Sequence, residues 1–235
     1  MNRARIAVLA SGGGSNLQAV IDHFRVLGDA RGGDVVLVAS DRADAGALER
    51  ASRAGIATAT VASRRAPMGT GLAALLLEHR VDLLLLAGYL QLVPADVTRH
   101  MAGRVLNVHP GPLPEFGGPG MYGARVHRAV LAAGVAFSGP TVHFVDEVYD
   151  HGAAIAHWPV PVLEGDDDHA LAARVLRAEH LLFPRVVQAV ATGRVALDAR
   201  GSVTPPYLRS ASALPLLDPH CDDATLARLL DAAAS

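Results

Sequence analysis

Val81-Asp82-Leu83-Leu84-Leu85-Leu86-Ala87 runs straight into Gly88, and this stretch restricts the fold more than any other in the chain. A run apolar at successive positions offers hydrophobic side chains to both faces of a β-strand. It therefore needs cover above and below, as in a parallel sheet flanked by helices. Arg5–Ala10 and Asp34–Ser40 have the same character. Between them Leu17, Val20, Ile21, Phe24 and Leu27 recur at helical spacing, and Ala45 to Ala54 reads as a second helix closed by Gly55. Ile56 to Val61 is a weaker, threonine-bearing strand, and Gly71 to Arg80 a further helix. Strand and helix alternate, which predicts an α/β fold with an open, doubly wound, mainly parallel sheet of Rossmann-like type.

Pro94 opens a short helix to about Met101, and Val105 to His109 forms the next strand. Glu115 to Gly120 reads as a loop and Gly123 to Ala133 as a helix. The pattern then changes. Ala136 to Val145 is a strand interrupted by Gly139-Pro140, and Ala153 to Val162 returns beside it as an antiparallel hairpin. Asp166-Asp167-Asp168 opens a helix to about Val190, where negative charge favours the macrodipole, a reading preferred to metal binding. Periodicity fades from Asp198, with a last short helix from Asp222 to Ala233. One domain over residues 1–197 and a tail over 198–235, without a second domain, is the organisation expected.

Composition narrows the chemistry. The chain contains no lysine, so its 21 Lys and Arg residues are all arginine. Schiff-base catalysis and a Walker A lysine are excluded, and any phosphate must be held by backbone N–H groups, hydroxyls, amides or arginine. Net charge is −2 with no basic run, which argues against nucleic acid as a partner. Cys221 is the one cysteine and reads as an ordinary thiol. No apolar segment has membrane-spanning length and Met1–Arg5 carries no signal core, so a cytoplasmic protein without a membrane partner is expected.

Two stretches carry candidate chemistry. Ser11-Gly12-Gly13-Gly14-Ser15-Asn16 joins the first strand to the first helix. Its glycines permit close backbone approach to an anion at the helix start, or simply make a helix-entry turn. In Val105-Leu106-Asn107-Val108-His109-Pro110, Asn107 and His109 share one strand face at the strand's carboxyl end. An amide can donate to a developing oxyanion and an imidazole can relay protons. A carboxylate from the turn Asp146 to Gly152, with Asp150 the choice, can raise the imidazole pKa. The alternative is a satisfied structural histidine. Leu90-Gln91-Leu92-Val93, after Gly88, either lines an apolar pocket or covers the sheet, and Arg64 and Arg65 either meet an anion or face solvent.

From about residue 5 to residue 195 the chain resembles the phosphoribosylglycinamide formyltransferases. The resemblance rests on Ser11–Gln18, Leu86-Ala87-Gly88-Tyr89, Asn107-Val108-His109-Pro110 with Leu113-Pro114, Thr141–Val145, Asp150-His151-Gly152, Ala173-Arg174-Val175 and Glu179-His180. Gly118–Gly123 is similar to a branch with a longer loop. The resemblance implies transfer of the formyl group of 10-formyltetrahydrofolate to the amine of glycinamide ribonucleotide in purine biosynthesis, without a metal. Its catalytic residues correspond to Asn107, His109 and Asp150. The ribonucleotide falls to Gly14, Ser15, Asn16, the amide of Leu17, Gly88, Pro110 and Glu179. The folate falls to Leu90, Gln91, Leu92, Val93, Asn107, Val145, Asp146, Asp150 and Arg65, with Arg64 as the alternative for its tail. A monomer or homodimer acting on small molecules is implied. Gly111-Pro112 departs from the family's usual Ser-Leu, and Gln91 from an arginine. The rival activities are a formyltetrahydrofolate deformylase, which carries an additional N-terminal domain, and methionyl-tRNA formyltransferase, which adds an RNA-binding domain. A non-catalytic nucleotide or folate binder is a third reading.

Overall fold

The computed structural model describes residues 3–61, 70–207 and 221–233. Strands β1 (Ala4–Leu9), β2 (Gly33–Ser40), β3 (Ala57–Thr60), β4 (Leu83–Leu86) and β5 (Val105–His109) alternate with helices α1 (Ser15–Leu27), α2 (Gly46–Arg53), α3 (Thr70–Glu78) and α4 (Ala95–His100). Each lies within a residue or two of its predicted bounds. The five strands pair in parallel, in the order β3-β2-β1-β4-β5.

Strand periodicity shows how the run at Val81 is buried. Leu83 and Leu85 of β4, with Ile6 and Val8 of β1, join one core cluster, whereas Leu84 and Leu86, with Ala7 and Leu9, join the other. The first cluster holds residues of α1 and the second those of α3 and α4. Both faces are thus covered, which is why both had to be apolar. Strand order reverses between β1 and β4, and a crevice outside the carboxyl ends of strands at such a switch point is where ligands bind in open α/β sheets.

After α5 (Ala124–Ala132) the expected hairpin forms, but each arm is broken. β7 (Thr141–Phe144) pairs antiparallel with β5 and with β8 (Ala154–His157). β6 (Phe137–Ser138) and β9 (Val160–Pro161) pair with each other in a separate ribbon. Gly139-Pro140 makes the break, since proline has no N–H for the ladder, and the Pro140 carbonyl instead accepts from the Trp158 N–H at 3.1 Å.

The acidic triplet starts α6 (Asp168–Ala191) as its charge suggested. Asp167 is the N-cap, accepting from the Ala170 N–H at 2.7 Å, and Asp166 takes both guanidinium nitrogens of Arg174 at 2.7 and 2.8 Å. Across the expected boundary at 197/198, β10 (Ala196–Leu197) and β11 (Val203–Thr204) form a ribbon that the sequence reading did not contain. Two-residue strands show no periodicity. The Asp198 carboxylate pins this turn through the N–H groups of Arg200 and Ser202. α7 (Asp223–Ala233) buries Leu226 and Leu230 in the first core cluster, and Asp223 and Asp231 pair with Arg177 and Arg185 of α6. No helix among the described residues is long and apolar enough to cross a membrane.

Candidate active site

The turn after β1 brings Gly14 to φ 74°, and a Cβ there would sit 2.7 Å from Ala47 Cα. Only glycine fits both demands. Gly14 is the N-cap of α1, so the first N–H groups of that helix, at Ser15, Asn16 and Leu17, lack intrahelical partners. The turn is tied to the loop after β4: the Ser11 N–H donates to the Gly88 carbonyl at 3.0 Å, and Ser11 Oγ accepts from the Leu90 N–H at 3.0 Å. Arg50 of α2, which sequence reasoning missed, donates to the Gly13 carbonyl at 2.7 Å and sets a cation beside the turn. The pattern of α2 gave no sign that it packs there.

Beside that turn Asn16 donates from Nδ2 to Glu179 Oε2 at 2.6 Å. Glu179 is only 6% exposed, and burial pushes its carboxyl up to about 7 against the opposing Asn16 hydrogen bond. Asn16 Oδ1 is itself buried without a protein partner.

β5 delivers Asn107 and His109 to one face, as alternation requires. β7 runs antiparallel to β5, so the chain leaves Phe144 opposite Leu106 and must double back. It does so through Asp150, at φ 53°, which reaches both side chains. Its Oδ2 lies 3.5 Å from His109 Nδ1 and accepts from the Gly118 N–H at 3.0 Å, while its Oδ1 lies 3.4 Å from Asn107 Nδ2. The loop after β5 holds the other ring nitrogen. His109 Nε2 is 2.8 Å from the Phe116 carbonyl, and a carbonyl only accepts, so the resting proton sits on Nε2. Nδ1 is then the nitrogen that can take and return a proton in front of Asp150.

Burial lowers the His109 pKa, and the neighbouring His143 adds to this, while Asp150 and the Phe116 carbonyl push it back up. The expected role of Asp150, raising the imidazole pKa, is therefore present as a cause but is outweighed by burial. Burial also opposes the charge of Asp150, yet His109 and the Gly118 N–H hold that carboxyl below its ordinary value.

These groups open into a cavity of about 600 Å³. Asn16, Gly88, Pro110 and Glu179 line it from the ribonucleotide set, and Leu90, Gln91, Leu92, Val93, Val145 and Asp150 from the folate set, with Asn107 and His109 between. Gly14, Ser15 and Leu17 do not line it, and the Leu17 side chain is in the core, so only its amide faces the turn. Asp146 is outside too: its carboxylate accepts from the Val148 N–H and faces His151 Nδ1 at 2.7 Å. Arg64 and Arg65 lie outside the described residues. The cavity wall also contains Tyr149, from the turn expected to meet the folate, Asp168, expected only to start a helix, and His143, Met121 and His127, to which the sequence gave no role. A signal existed for His143, which stands directly across the ladder from Asn107. Gln91 donates to Asp41 at 3.3 Å, and burial followed by the charge of Asp41 raises the Tyr89 phenol to about 12. Gly111 has no room for a side chain as the site stands, since a Cβ would meet Val126 Cγ1 at 2.6 Å.

Residues 4–187 match the family model described as formyl transferase. A chloroplastic phosphoribosylglycinamide formyltransferase from Arabidopsis thaliana is 40% identical over 198 residues, covering 82% of this chain and 67% of the relative. The corresponding Vigna unguiculata protein is 41% identical, with 83% of this chain and 63% of the relative covered. The trifunctional purine biosynthetic protein adenosine-3 of Bos taurus is 40% identical over 86% of this chain, which spans 20% of that protein. Among solved structures, phosphoribosylglycinamide formyltransferase of Anaplasma phagocytophilum superposes with TM-score 0.78 at 33% identity, over 86% of this chain and 94% of that one. Glycinamide ribonucleotide transformylase 1 of Symbiobacterium toebii gives 0.77 at 40%, over 86% and 93%. A Pseudomonas syringae formyltetrahydrofolate deformylase gives 0.76 at 23% identity, a likeness of fold alone.

Proposed function

The chain belongs to the formyl transferase family, and on that footing we propose that it transfers a formyl group from 10-formyltetrahydrofolate to the amine of glycinamide ribonucleotide. One observation carries the reading: Asn107, His109 and Asp150 converge, within 3.5 Å of one another through Asp150, in a cavity that has Asn16 of the first turn of α1 on one side and an apolar wall on the other. The apolar residues Leu90, Leu92, Val93 and Val145 suit a flat heteroaromatic ring, and the Asn107 amide suits a polar group at its edge. The helix start with Arg50 suits a phosphate.

When bound, the folate supplies an activated formyl group. The Asn107 amide offers a donor where negative charge develops on the formyl oxygen as the amine attacks. His109, protonated at Nδ1, offers a second donor there, passes that proton to the departing nitrogen and regains one from the attacking amine, so the proton count closes. Asp150 favours that protonated form, and Phe116 holds the ring so that Nδ1 faces the reaction. Glu179 stands by the ribonucleotide end together with Asn16. We assign the catalytic unit to residues 1–197 and a tail without a domain of its own to 198–235, working in the cytoplasm as a monomer or homodimer.

Incubation with formyl donor, with and without the ribonucleotide, tests this. The expected result is formylated product that depends on the amine, with His109→Ala losing about 10²–10⁴-fold in turnover while still binding ribonucleotide. Formate release that ignores the amine overturns the reading in favour of a hydrolase.

A further inference from the structure

His143 is 1% exposed in the middle of β7, beside the reacting groups, and the mechanism above gives it no task. Its Nδ1 is 2.8 Å from the Phe144 carbonyl, which can only accept, so Nδ1 carries the proton. In the neutral ring Nε2 then presents a lone pair. Asp150 Oδ1 is 3.7 Å from that nitrogen, outside hydrogen-bond range, but Asn107 Nδ2 is 3.0 Å away. The donor to Nε2 must be the amide NH₂ of Asn107.

We propose that His143 is a positioning residue: its bare Nε2 takes one amide hydrogen of Asn107 and so turns the second one, rather than the amide oxygen, toward Asp150 and the cavity. The second hydrogen points to Asp150 Oδ1, which lies 3.4 Å from Asn107 Nδ2, a loose contact that an arriving carbonyl oxygen can displace. An amide is nearly symmetric in shape, so without a fixed acceptor behind it Asn107 can rotate by half a turn. It would then aim its own oxygen at the forming oxyanion, which repels it. The register fixes the pair, since Asn107 and His143 are direct partners across β5 and β7.

This inference rests on the role given to Asn107 in the proposed reaction, and its test separates the two. ¹⁵N spectra of the histidine rings in the ligand-free protein near neutral pH should show His143 neutral with the proton on Nδ1. An Nε2–H or doubly protonated ring overturns the proposal whatever the enzyme's activity. In kinetics, His143→Leu should lower kcat by about 10²-fold with the ribonucleotide KM little changed. His143→Gln, whose side-chain oxygen can replace the acceptor, should recover at least about tenfold of that loss. In the Asn107→Ala background, His143→Leu should cost nothing further. Multiplying losses, or a Gln variant no better than Leu, would show that His143 does not act through Asn107.

Discussion

Replacing Glu179 by Gln should change how the stability of the ligand-free protein depends on pH, and the size of the effect follows from burial. Glu179 is 6% exposed, accepts a 2.6 Å hydrogen bond from Asn16, and has its pKa raised from 4.5 to about 7, burial being the larger cause. In the unfolded chain it titrates near the ordinary value. Below that value both states hold the proton and the contribution is fully present. As pH rises toward 7 the unfolded chain releases the proton while the folded protein keeps it, so stability falls with rising pH. Above about 7 the contribution is gone. The loss across the window is about 3 kcal/mol, equivalent to roughly 6–12 °C in Tm for a chain of this length. Gln cannot titrate but can still accept from Asn16. Urea unfolding of both proteins from about pH 4 to about pH 8 should therefore show the variant gaining about 3 kcal/mol on the wild type as pH rises. Other titrating groups cancel in the difference. A difference that stays constant, or moves the other way, refutes the assignment of Glu179 as a buried group that keeps its proton on folding.

Asp150→Asn removes the charge that raises the His109 pKa and leaves burial unopposed by it, so the imidazole pKa falls further. The alkaline limb of the kcat/KM profile should move to lower pH, and an unmoved limb would detach Asp150 from His109. Gly117→Ala would put a methyl 2.4 Å from Leu113 Cδ2 and 2.9 Å from Asp150 Cβ. It should cost about 1–3 kcal/mol in stability and depress kcat as Asp150 shifts, which denaturation and steady-state kinetics can separate. Trp158→Ala, at a fully buried site that does not line the cavity, should cost about 3–5 kcal/mol in urea unfolding with KM unchanged.

The parallel sheet was legible because local pattern and burial coincide there. The apolar run at Leu83–Leu86 reports two covered faces by itself, and the run Gly12-Gly13-Gly14 reports a turn whose backbone can be approached closely. Asn107 and His109 were legible for the same reason, since strand alternation puts them side by side without reference to anything distant. Asp150 was a choice among the acids of its turn, made firm by resemblance. Its approach to His109 depends on an antiparallel β7 followed by a loop that doubles back, and no spacing along the chain encodes that. The β6–β9 pair falls inside the expected hairpin, whose interruption at Gly139-Pro140 was legible from the sequence, whereas the short ribbon of β10 and β11 was missed because two residues are too few for periodicity.

By itself, then, the sequence determined the layered α/β architecture, the glycine turn and the amide–imidazole pair, because each depends on residues within a few positions of one another. Tertiary structure alone decided which nitrogen of His109 is free, that His143 backs Asn107, and that Glu179 is buried against Asn16. Those are properties of groups 7, 36 and 163 residues apart. Their protonation and orientation are set by solvent exclusion and by the one acceptor or donor within reach, which exist only once the strands and helices have packed.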